Sequence, residues 1–228
     1  MFSDQDLSMK YQRAKSLEKA GLTKEAIQSY EELVTYTPGN KTYFKAYKSF
    51  LKNRGMNDRL YKLASDYFHA NPDDPVAELE YIEVILLNDD PDWEAIIKDF
   101  IDRKYENPSL MKQVLYKIVS GRQLSNTSKY LDLVRTKLGI PTFYTMEMGG
   151  YFAMRMDYNN ALSEYILFLS SNPKRVDQVS DRIMSFPQQE QITKMIRKTL
   201  QQNLNGNTGK ILSELEFREK NYEKSWKL

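Results

Sequence analysis

Five of the eight prolines stand at Pro38, Pro72, Pro108, Pro141 and Pro173, separated by 34, 36, 33 and 32 residues. Each closes a segment whose apolar residues follow helical spacing. Proline cannot continue a helix beyond its first turn, so prolines at this interval mark the ends of successive units. An interval of about 34 residues suits two helices of a dozen residues each with their connecting turns. The chain of 228 residues then reads as one array of about six and a half units, approximately 7–38, 39–72, 73–108, 109–141, 142–173, 174–206 and an incomplete 207–228. Only nine glycines occur, as expected for helices joined by short turns. No alternating β-branched runs bounded by hairpin dipeptides appear, so strands are not expected.

A second regularity lies inside the units. Ala14, Ala26 and Pro38 are spaced by 12 and 12, as are Gly149, Ala161 and Pro173, and Ser213 and Ser225 repeat the first interval. Two helices packed closely need small side chains where their axes approach, because bulk there overpacks the contact. An aromatic residue precedes the second small position by three: Tyr158 before Ala161, Tyr222 before Ser225, and Trp93 at the same offset before Ile96. Gly21 and Gly55 stand where a first helix must end and a left-handed residue is least strained. Gly121 with Ser125 to Ser128, and Asn88 to Asp92, read as helix ends and caps. The second unit departs from the pattern, with Lys48 and Leu60 at the small positions. The third needs about one additional residue near Asp90.

Gly21-Leu22-Thr23-Lys24-Glu25-Ala26-Ile27, with Tyr30 and Pro38, resembles the second half of a tetratricopeptide (TPR) repeat. Gly149, Phe152, Asp157-Tyr158-Asn159-Asn160-Ala161-Leu162 and Pro173 resemble nearly a whole one, and Glu219 to Ser225 resembles the turn of another. The resemblance implies an all-α fold, a right-handed α-solenoid of antiparallel helix pairs forming a TPR-like superhelix. It implies a non-catalytic scaffold or adaptor that binds a protein or peptide, without a cofactor, in a groove lined by the first helix of each pair. Carried across residue by residue, that groove would receive Tyr11, Lys15, Lys45, Lys52, Tyr81 and Met146. Lysine with tyrosine suits an extended or acidic peptide; the same residues could equally form a solvated face. Where some members of the family clamp chaperone C-termini with asparagine, this chain has Gln12 and Ala46, so that clamp is not expected.

Competing functions find less support. Lys+Arg 33 against Asp+Glu 31 leaves a net charge of +2, without the basic excess typical of nucleic-acid binders. A helical-repeat RNA binder remains the alternative, as does the targeting arm of a larger protein whose activity lies beyond residue 228. Zero cysteines and one histidine leave no zinc-finger ligand set or disulfide framework. His69 reads as a surface residue near a helix C-terminus. Asp89, Asp90 and Asp92 lack the glycine and glutamate of a calcium loop, and no metal site is expected. Gly206 to Ile211 has the wrong spacing for a phosphate loop, and Gly149-Gly150 reads as close helix packing. Asn40-Lys41-Thr42 and Asn126-Thr127-Ser128 read as chance matches to a glycosylation acceptor. No apolar stretch approaches the length of a membrane span. The start, Met1 to Asp6, is unlike a secretory signal, which leaves a cytoplasmic protein, or a periplasmic or exported one whose signal was removed. In this register Leu228 falls in the first turn of a second helix, so the chain is expected to be a fragment of a longer one. The partner and the oligomeric state are not legible.

Overall fold

A computed structural model describes residues 3–121 and 123–227; Met1, Phe2, Arg122 and Leu228, and with Leu228 the expectation about its helical turn, lie outside the described residues. The described residues form fourteen α-helices and no strand. The first helices of successive pairs are α1 (Asp4–Lys19), α3 (Lys41–Asn53), α5 (Pro75–Leu87), α7 (Pro108–Ser120), α9 (Thr145–Met154), α11 (Val176–Met184) and α13 (Gly206–Arg218). The second helices are α2 (Thr23–Tyr36), α4 (Asn57–Ala70), α6 (Trp93–Lys104), α8 (Thr127–Leu138), α10 (Tyr158–Ser171), α12 (Glu190–Gln202) and α14 (Tyr222–Trp226). Their starting residues are separated by 34, 36, 34, 31, 32 and 32 positions, so the interval read from the prolines is the interval of the helices.

The chain divides into two compact units, Met1–Leu124 and Ser125–Leu228. In the first, α1 packs on α2, α3 on α4 and α5 on α6; α2 meets α3, α4 meets α5, and α5 also touches α7. In the second, α9 packs on α10 and α13 on α14, α10 meets α11, and α12 meets α13. There α11 also touches α13 and α10 touches α12, so each helix there has neighbours one and two steps along the chain. Each unit is thus a repeat-like helical assembly.

The turn inside the pairs recurs as backbone geometry. Gly21, Gly55, Asp89, Met156 and Lys220 all have φ between 50° and 74°. In each case the next residue donates its N–H five residues back: Leu22 to Leu17, Met56 to Leu51, Asp90 to Ile85, Asp157 to Phe152 and Asn221 to Glu216, at 2.8–3.1 Å. This is the 6→1 bond of a Schellman ending, which satisfies a carbonyl the helix would otherwise leave open. Glycine announces the turn at two positions; at the other three the same conformation is held by residues that pay about 1–2 kcal/mol for it.

The small residues serve the close approach expected of them. Ala14, Ala26 and Ala161 are fully buried. A β-carbon on Gly149 would stand 2.5 Å from Cε1 of Tyr165, on the partner helix α10. In the last pair the Ser213 hydroxyl donates to the Ser225 carbonyl (2.8 Å) and the Ser225 hydroxyl to the Ser213 carbonyl (2.9 Å). Tyr158 lies against Phe186, and Tyr222 against Phe217.

Prolines 38, 72 and 173 directly follow the last residues of α2, α4 and α10, at Thr37, Asn71 and Asn172. Pro141 stands exposed in the turn between α8 and α9. Pro108 differs: it opens α7, where its missing N–H costs nothing, behind an Asn107 side chain that caps the N–H groups of Ser109 and Leu110. Asn126 precedes α8 without making a side-chain cap.

The first core is aromatic. Tyr30 stacks on Tyr47 at 5.2 Å, and Phe44 on Tyr67 at 3.9 Å between ring centroids. In the second unit the buried Arg135 guanidinium bridges elements. It donates to both carboxylate oxygens of Glu164 (3.0 and 2.5 Å) and twice to the Phe143 carbonyl, pinning the turn before α9 to α10.

Candidate functional site

Helix α3 reads Lys41-Thr-Tyr-Phe-Lys45-Ala-Tyr-Lys48-Ser-Phe-Leu-Lys52-Asn, with no acidic residue. Spacings of four, three and four put the four lysines on one face, while Phe44, Tyr47, Phe50 and Leu51 are buried on the others. Asn40 opens the helix, accepting from the N–H groups of Thr42 and Tyr43.

Helix α5 brings carboxylates to half of that stripe. Lys48 is paired with Glu80 and, at 2.9 Å, with Glu83. Lys52 reaches Glu83 at 2.7 Å, and Lys117 of α7 completes the ring around the same carboxylate. Burial pushes the Glu83 carboxyl up, but the ammonium groups of Lys48, Lys117 and Lys52 outweigh it and hold the group well below the usual carboxylate range. Lys48 keeps only 12% of its side chain exposed. This charged seam links three successive first helices. A cavity of about 150 Å³, lined by Lys52, Glu83, Leu87, Tyr116, Lys117, Ser120 and Gly121, opens beside it.

Of the residues expected in the groove, Lys45 and Lys52 share this stripe. Lys45 is exposed, and Lys52 is tied to Glu83. On α1, Tyr11 packs against Tyr43 with ring centroids 5.3 Å apart, and Lys15 pairs with Glu18 within its own helix at 2.9 Å. Tyr81 lies elsewhere. Its ring stacks on Phe68 and its hydroxyl is 3.0 Å from that of Tyr61, both on α4. Met146 is half-buried on α9 of the second unit. Proline spacing misplaces the third pair because the added residues sit in the α5–α6 turn, after Asp89, whereas α5 itself starts 34 residues after α3. Counted from the turn, the equivalent of Lys15 and Ser49 is Glu83. That residue was not singled out from the sequence, and its signal was available: Glu83 lies 34 residues before Lys117.

The remaining candidates have structural settings. His69 is exposed, with Nδ1 2.7 Å from the Ser65 carbonyl. The Asp90 carboxylate accepts from the Tyr61 hydroxyl and the Asp92 N–H. Gly206 to Lys210 form the first turn of α13, where Asn205 and Thr208 cap each other. Among the described residues no group of three His, Cys, Asp or Glu side chains is placed to hold a metal ion. Among them, too, no helix is long and apolar enough to cross a membrane. Comparison of the chain with protein-family models and with curated proteins finds no match.

Proposed function

We propose that the chain is a non-catalytic protein-binding scaffold of the tetratricopeptide type. In this reading antiparallel helix pairs stack with a right-handed step within each unit, and the first helices present a surface to a protein or peptide. The observation that supports it is the recurring turn at Gly21, Gly55, Asp89, Met156 and Lys220. Pairs closed by the same backbone geometry have similar shapes. Similar shapes stacked by a similar step leave their first helices in a row. Around the first three pairs that row contains Tyr11, Lys15, Lys45 and Lys52 together with the Glu83 seam. An RNA-binding role is less favoured, because Lys48, Lys52 and Lys117 of that row already pair with carboxylates of the same chain.

A photo-crosslinking amino acid tests this in the source cell. Placed at Lys45 or Gln113, both exposed on first helices, it should capture discrete protein partners. Placed at Lys24 or Lys98, exposed on second helices, it should capture few. Capture of RNA, or of proteins only from the second-helix positions, would overturn the proposal.

A further inference from the structure

We propose that Lys41 and Lys45 dock an acidic helical segment of a protein partner, one whose carboxylates stand three or four residues apart. The inference rests on the scaffold reading and names the partner chemistry. Its basis is an incomplete match between two neighbouring helices. Along α3 the stripe reads Lys52, Lys48, Lys45, Lys41. Along α5 the facing charges read Glu83 and Glu80, and one turn further comes Val76. The carboxylates end where two lysines remain. Lys41 and Lys45 are exposed and make no ion pair.

Their placement is electrostatically unfavourable in isolation. Like charges four residues apart on a helix repel, and α3 offsets that repulsion only in its second half. Lys41 is also the first residue of α3, where the helix dipole already presents positive charge. Both effects concentrate positive potential on one turn of exposed helix. The occupied half displays the complementary geometry: a helix with glutamates three residues apart, laid beside α3. A partner helix with the same spacing would extend the pairing along the remaining turn, about 6 Å of axis.

The test uses the full chain and a fluorescein-labelled, alanine-rich helical peptide with glutamates at i and i+4, read by fluorescence anisotropy in 50 mM salt. The same peptide with glutamines is the comparison. The glutamate peptide should bind at least about ten-fold tighter, and raising salt to 200 mM should weaken it. The double change Lys41→Ala and Lys45→Ala should reduce affinity by about five- to thirty-fold. Lys24→Ala with Lys98→Ala, an equal change of net charge, should alter it less than about two-fold. Circular dichroism of each variant verifies that the helices persist. Equal binding of the two peptides, equal losses in the two double variants, or preferential binding of single-stranded RNA through the same lysines would overturn the inference. Should Lys45 and Gln113 capture protein partners while the peptide ignores Lys41 and Lys45, this inference falls and the scaffold reading stands.

Discussion

Gly149 and Gly150 are neighbours in α9, yet the same added methyl group should move stability in opposite directions. A β-carbon on Gly149 would lie 2.5, 2.7 and 3.1 Å from Cε1, Cδ1 and Cζ of Tyr165. Non-bonded carbons rest at about 3.5–4.0 Å, so the ring would have to retreat by about 1 Å. It has little room, being 1% exposed with Phe186 as a neighbour at 6.3 Å between centroids. Overpacking costs about 1–3 kcal/mol, and exchanging a helical glycine for alanine returns about 0.8–1.0 kcal/mol. Gly149→Ala should therefore destabilise by about 1 kcal/mol. At Gly150 the nearest atom to such a β-carbon is the Tyr165 hydroxyl, 4.0 Å away. The propensity gain acts alone there, and Gly150→Ala should stabilise by about 0.5–1 kcal/mol. Denaturant titration followed by circular dichroism reads both as shifts in midpoint at constant slope. Adding Tyr165→Leu should recover part of the Gly149→Ala loss, because the two sites touch. Effects of the same sign and size at both glycines would refute the close approach of α9 and α10.

Met156 and Lys220 hold a left-handed conformation without being glycine, so Met156→Gly or Lys220→Gly should raise stability by about 0.5–1.5 kcal/mol in thermal unfolding. A loss at both would contradict the shared turn. Glu83 titrates below the usual carboxylate range in the folded chain. Its contribution is complete above the unfolded carboxylate pKa of about 4.3 and disappears as pH falls through the lower folded value. Stability of the wild type should thus fall more steeply than that of Glu83→Gln below about pH 4, and parallel curves in acid denaturation would count against the seam. Arg135→Met should cost about 3–5 kcal/mol by leaving Glu164 buried without its cation, whereas Arg135→Met with Glu164→Leu should cost much less; urea midpoints of the two variants decide it.

Helix existence and interval were legible because they depend on residues with few alternatives. A proline after Thr37, Asn71 or Asn172 cannot prolong the helix before it, and Ala14 and Ala26 leave room that larger residues would fill. The turns were legible only where glycine occupies them. At Asp89, Met156 and Lys220 the conformation is held by the main-chain bond and the packing of the helices on either side, which leave no residue-type signature. The groove residues depend on register. Tyr81 was counted back from Pro108 across a lengthened turn and so points to α4, while Glu83, counted from Asp89, falls on the charged row. Lys48 stands at a position expected to be small because its aliphatic stem can lie along the helix while its ammonium group reaches Glu80 and Glu83.

Because the hairpin between coils is secured by an amide and a carbonyl, its grip is indifferent to what the side chains become. Mutational drift can recolour those bends without loosening them, at the modest penalty of a left-handed residue. The hairpins are therefore natural seams at which whole coil pairs could be duplicated, excised or exchanged, while the specificity written along α3 and α5 stays intact.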